Sequence, residues 1–153
     1  MALTKLDVAN ATEGHQVFKI TSTANQSLAN ATEVQLTFNS APIDTNSITS
    51  TANNNVTITA STAGTWLIMA QSRLGERPGR HQLLLQKNDS LILMSEKSSN
   101  DAGSGANPTI EMIGILALSS GDVLTLEHYQ QSGGSLNTVA GYDAPSIQGV
   151  RLF

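Results

Sequence analysis

The sequence contains no cysteine, which excludes disulfides, thiolate zinc sites and thiol catalysis. Charged residues make up only 13% and aromatic residues 4%. So few rings argue against a sugar-stacking cleft. No uninterrupted apolar run approaches the ~18 residues of a membrane-spanning helix. Residues 1–10 lack the basic start and apolar stretch of a secretion signal. A formal net charge of −4 argues against nucleic acid as a partner.

What is present in their place is hydroxyl and amide: 17 Ser, 16 Thr and 12 Asn in 153 residues. That bias suits strands and turns. The length suits one domain.

Residues 1–32 carry the weakest pattern. Val17-Phe18-Lys19-Ile20 reads as a short strand, and the first eleven residues could equally form a short amphipathic helix. The region is expected to be an N-terminal arm or peripheral strand ahead of a body spanning 33–153. From Glu33 the alternation sharpens. Val34, Leu36 and Phe38 alternate with Gln35, Thr37 and Asn39, as a half-buried strand requires. Ala41-Pro42-Ile43-Asp44 breaks that run. Val56 and Ile58 alternate with Thr57 and Thr59. Leu83-Leu84-Leu85 and Leu91-Ile92-Leu93-Met94 flank a hairpin turn at Asn88-Asp89, two residues that tolerate left-handed backbone. Residues 98–108 read as a Ser/Gly/Asn loop. Val123 to Gln131 and Val150 to Phe153 read as strands. About eight to ten strands without crossover helices predict an all-β antiparallel jelly-roll sandwich.

Two segments depart from alternation. Thr65-Trp66-Leu67-Ile68-Met69-Ala70 and Ile113-Gly114-Ile115-Leu116-Ala117-Leu118 are apolar almost throughout, which implies that both faces of each strand are covered. The expected cover is another copy of the chain; the rival cover is the arm folded back.

Several segments together resemble a known pattern. Ala63-Gly64-Thr65-Trp66-Leu67-Ile68, Leu85-Gln86-Lys87-Asn88-Asp89, Leu116 to Leu126 with its Gly121-Asp122 turn, and the closing Ser146 to Phe153 occur in the order found in the complement-globular-head and tumour-necrosis-factor superfamily. Trp66 stands where that family usually has Tyr, and Asp89 where it has Gly. The resemblance covers roughly residues 33–153. It implies a jelly roll of about ten strands that assembles as a homotrimer around one sheet. With a period of two, Trp66, Ile68 and Ala70 would face the core. Leu67, Met69, Gln71, Ile113, Ile115 and Ala117 would face the neighbour. In the last strand Val150 and Leu152 are expected inside, with Arg151 and Phe153 in the interface.

Secreted members of that superfamily carry signals, anchors or collagen repeats, and none is evident here. By analogy the expectation is a bacteriophage virion protein, made in the host cytoplasm and mounted on the outer capsid surface as a decoration (cement) protein that binds the major capsid protein. A receptor- or glycan-binding fibre head is the alternative.

No catalytic constellation emerges. His15, His81 and His128 share no metal-binding spacing, so no metal or other cofactor is expected. His128 belongs on the face of Leu124 and Leu126. Ser104 lies in a glycine loop outside any nucleophile elbow. The acids are scattered singly, with Asp44 and Asp122 placed as turn formers. Asp101 with Asn100 and Asn107 reads as solvated loop rather than a calcium site. No enzymatic activity, small-molecule ligand, nucleic acid or membrane partner is expected. Arg73, Arg77, Arg80 and His81 cluster around a Gly/Pro turn, either as a loop gripping an acidic partner or as ion pairs with Glu76 or a neighbouring subunit.

Overall fold

Period-two alternation dictates strands, and a computed structural model, which describes residues 16–75, 78–99, 108–141 and 143–153, has no helix among them. The strands are numbered in chain order. A five-stranded antiparallel sheet runs β10 (Thr109–Leu118), β7 (Gly64–Arg73), β13 (Ser146–Arg151), β1 (Val17–Thr21), β4 (Ser40–Asp44). Opposite it lies a six-stranded sheet: β5 (Thr49–Ser50), β6 (Asn55–Thr57), β11 (Val123–Gln131), β8 (Gly79–Lys87), β9 (Ser90–Ser99), with β3 (Thr32–Gln35) also on β11. A small pair, β2 (Ser27–Leu28) and β12 (Leu136–Asn137), closes one end. The architecture is the expected all-β jelly-roll sandwich.

The core forms where the two inner faces meet. Phe18, Ile20, Trp66, Ile68 and Ile147 come from one sheet, and Leu83, Leu85, Leu124 and Leu126 from the other; all are essentially inaccessible. Trp66 and Phe18 pack with ring centroids 5.5 Å apart, and the indole N–H donates to the Thr62 carbonyl at 2.9 Å. That bond satisfies the one polar atom the tryptophan buries. Gly149 lies beside this pair for a steric reason. A Cβ there would come within 2.5 Å of the Phe18 ring and 2.8 Å of Ile68 Cδ1.

Three local expectations need adjustment. The N-terminal region was expected as an arm or peripheral strand, yet β1 lies inside the five-stranded sheet between β13 and β4. Phe18 and Ile20 are core residues, so the sandwich has begun by Val17; residues 1–15 lie outside the described residues. A five-residue strand has only two inward positions, too few for a periodic signal. Second, Ala41-Pro42-Ile43 belongs to β4 rather than to a break, because β4 is an edge strand, where proline is tolerated. Third, the ladder of β3 stops at Gln35, although Leu36 and Phe38 are buried. Beyond Gln35, the amides of Thr37 and Phe38 are taken by side chains, Gln26 Oε1 at 2.8 Å and Asn54 Oδ1 at 2.7 Å.

The β8–β9 turn has the chemistry expected of it. Asn88 and Asp89 both adopt left-handed backbone, at φ 52° and 60°.

Candidate functional site

The outer face of the five-stranded sheet follows from register, because directly opposed residues share a face. Ile115 of β10 opposes Leu67 of β7, which opposes Val150 of β13, which opposes Val17 of β1. The next row is Ile113, Met69, Gln148 and Lys19, and the next Glu111, Gln71, Ser146 and Thr21. The face therefore grades from apolar to polar along the strands. Ile113 and Ile115 are 64% and 65% exposed, a large apolar area to leave in water. Ala117 is also exposed, whereas Leu67, Met69 and Gln71 are half-buried. A shallow depression of about 340 Å³ lies at the mixed end, among Met69, Gln71, Glu111, Ile113 and Gln148. No described segment of the chain lies over the exposed isoleucines.

The facing expected for the last strand is reversed at two positions. Arg151 opposes Trp66, whose side chain is in the core, while Val150 opposes Leu67 on the outer face. The inward positions of β13 are Ile147, Gly149 and Arg151. A glycine in the middle of that series hides it from a hydrophobic pattern. Arg151 avoids the core by lying at the end of the sandwich, where its guanidinium donates to Gln16 Oε1 at 3.1 Å and the Ser61 carbonyl at 3.2 Å. Leu152, expected inside, is 44% exposed, and Phe153 is 80% exposed. The Phe153 carbonyl nonetheless accepts the Thr65 amide at 2.7 Å.

The basic cluster is dispersed by the fold. Arg73 ends β7 and meets Asp143 at 3.5 Å. Arg80, the second residue of β8, donates twice to Glu96 Oε2 at 3.0 and 2.8 Å, and lies 6.0 Å from the Tyr129 ring centroid. Both are engaged within the chain, with partners other than Glu76. Arg77 and Glu76 lie outside the described residues, as do His15, Ser104 and the Asp101 loop. His81, expected in the loop, is a fully buried member of β8 pointing into the sandwich, on the face of Leu83 and Leu85.

His128 does share the face of Leu124 and Leu126 and is fully buried. Its Nδ1 lies 3.2 Å from Ser72 Oγ of the opposite sheet, and its ring centroid is 6.3 Å from that of His81, edge-on. Sequence spacing could not bring these two histidines together; the diagonal register of β8 on β11 does. Burial, reinforced by the neighbouring imidazole, pushes His128 down to about 3. No cluster of three or more His, Cys, Asp or Glu capable of holding a metal occurs among the described residues.

The carboxylates expected in turns are there. Asp44 accepts the amides of Ile48 and Thr49 at 3.0 and 2.9 Å and the Thr49 hydroxyl at 2.7 Å. Burial pushes its pKa up, but these bonds outweigh it and leave the group below its ordinary value. Asp122 is held below its ordinary value chiefly by the Ser119 amide, then by the Asn88 side chain. Glu127, on the outer face of the six-stranded sheet, moves the other way, raised by burial and by the charges of Glu33 and Asp89.

No protein-family model matches the sequence, and no curated protein does. The fold does find counterparts. The Eiger TNF of S. frugiperda aligns with a TM-score of 0.70 over 91% of this chain and 93% of that one, at 15% identity. Murine APRIL, in a crystal structure at pH 5.0, aligns at 0.70 over 90% and 99%, at 12% identity. The globular domain of zebrafish complement 1qA aligns at 0.64 over 90% and 98%, at 14% identity. Identities this low speak for shape alone. The described residues adopt a jelly-roll fold similar to that of these tumour-necrosis-factor and complement-head structures.

Proposed function

We propose that the protein is a structural, non-enzymatic module that works as a homotrimer, with the outer faces of β7, β10 and β13 packed about the threefold axis. The observation that carries this reading is the exposure of Ile113 and Ile115 beside Leu67, Met69 and Val150. Burying a side chain of that size stabilises by roughly 1.5–3 kcal/mol. The jelly-roll likeness supports the same reading, and so does the absence of any covering segment among the described residues. Light scattering is expected to give the mass of three chains. A monomer at micromolar concentration overturns the assembly.

The finer proposal is that this trimer decorates a bacteriophage capsid, clamping copies of the major capsid protein on the outer surface. The hydroxyl- and amide-rich surface and the sandwich body are compatible with a mechanical role. Copurification with phage heads is the expected result, and copurification with tails overturns it in favour of a fibre head. That second reading draws on one observation: the segments at 132–133 and 140 are fastened by side chains of 25–30. Asn30 Oδ1 accepts the amides of Ser132 and Gly133 at 3.0 and 2.8 Å, and Asn25 Oδ1 accepts that of Ala140 at 2.8 Å. Loops held in this way could present a receptor- or glycan-binding surface.

A further inference from the structure

Two imidazoles are unusual contents for the interior of a small sandwich. His81 and His128 are both fully buried, on the inner face of the six-stranded sheet. They occupy the end of the sandwich where β2 pairs with β12 and where Leu74 bridges to Thr138. His128 makes a polar contact between the sheets through Ser72, while its Nε2 is buried without a hydrogen-bond partner.

The described groups around His128 offer nothing to balance a positive charge. From β7 the inward side chains at this level are Ala70 and Ser72. From β8 they are His81 and Leu83, and from β3, Val34. On β11 itself they are Leu126 and Gln130, whose amide is already used by the carbonyls of Leu28 and Gly134. The small sheet contributes Leu28 and Leu136. The only described titratable group acting on His128 is thus another imidazole. Beyond it, the β9 partner of His81 is Lys97, also a potential cation. The carboxylates on these strands, Glu96 on β9 and Glu127 and Glu33 on β11 and β3, belong to the outward rows. Asp143 is paired with Arg73.

We propose that His128, set edge-on to His81, is an acid-sensitive latch: proton uptake on His128 parts β7 from β8 and β11 and releases the β2–β12 end of the sandwich. No described side chain offers a charged His128 a counter-ion, and its contact with Ser72 is a polar link between the sheets at that point. With no counter-ion among the described groups, the new charge draws water, which reaches it when that end opens. The sign follows from linkage. The open form titrates near 6.5 and the closed form near 3, so the closed state is favoured in full above about pH 6.5 and loses ground as pH falls. One proton taken up on opening raises the open population by up to about tenfold per pH unit in that window. Asp44 and Asp122, held below ordinary carboxylate values, add their own loss only at lower pH.

Hydrogen exchange on the full chain from pH 7.5 to 4.5, corrected for intrinsic rates, tests this. Opening at Ser27–Leu28, 79–82, 128–131 and Leu136–Asn137 is expected to rise toward tenfold per pH unit below 6.5, while Val17–Thr21 stays protected. In His128→Leu the slope flattens. Should that variant fail to fold, imidazole NMR of the unaltered protein decides. A ring that remains neutral in the closed form at pH 5 supports the latch. A ring that titrates near 6.5 within an unchanged fold, or a pH-independent exchange profile, overturns it.

Discussion

Asn88 and Asp122 hold two turns together that are far apart in the chain. Asn88 Nδ2 donates to Asp122 Oδ1 at 2.9 Å, while Asn88 Oδ1 accepts the Val123 amide at 2.9 Å. Asp122 uses its other oxygen for the Ser119 amide at 2.8 Å. The β8–β9 hairpin and the turn entering β11 are thus joined by a closed set of side-chain bonds. Removing Asp122 leaves several donors unsatisfied, so Asp122→Ala should cost roughly 1–3 kcal/mol. Because its folded pKa is depressed, that contribution is present above the ordinary carboxylate value and is lost as pH falls through the folded one. The deficit measured by denaturant titration should therefore shrink in strong acid. An equal deficit at pH 7 and pH 2 would assign it to packing.

The outer face offers a direct test of assembly. Leu67→Asp or Ile113→Asp places a carboxylate where the proposed interface is apolar, and each should convert a three-chain mass to one chain or to precipitate. Arg151→Ala should leave the mass at three chains, because the Arg151 side chain belongs to the inner register. A trimer that survives both aspartates would move the interface elsewhere.

Gly149 tests the packing of the core. Gly149→Val forces its side chain into Phe18 and Ile68, and overpacking of this kind costs about 1–3 kcal/mol. Its thermal midpoint should fall, and Phe18→Leu in the same chain should restore part of the loss by vacating the space.

Glu127 has the opposite pH signature to Asp122. Its raised pKa means that ionisation is penalised in the folded state. Its stabilising contribution is complete below the unfolded carboxylate value and is lost as pH rises through the folded one. Glu127→Gln keeps an acceptor for the Gln86 amide, which lies 2.6 Å from Glu127 Oε2. It should raise the thermal midpoint at pH 7 and bring no gain at pH 4. A loss at pH 7 would show that the Gln86 bond needs the charge.

The sandwich was readable because most of its strands announce themselves by alternation, and the turns at Asn88-Asp89 and Gly121-Asp122 by their residue types. The outward facing of Leu67, Met69, Ile113 and Ile115 was readable for the same reason. Arg151 was misplaced because Gly149 leaves a blank in the inward series, and β1 was undervalued because it has so few inward positions. His81 was drawn to a surface loop by its basic neighbours, when its placement depends on the pairing of β8 with β11. Such cross-strand register joins residues distant in the chain, and no local window contains it.

The chain has one tryptophan, and it points away from the face where copies would meet. Trp66 is sealed beside Phe18, while the adjacent Leu67 lies on the opposite side of the same strand. Its fluorescence is therefore an internal gauge of the body alone. Emission should stay blue when protomers separate and shift red only when the sandwich itself comes apart, so that dissociation and unfolding can be followed separately in one cuvette.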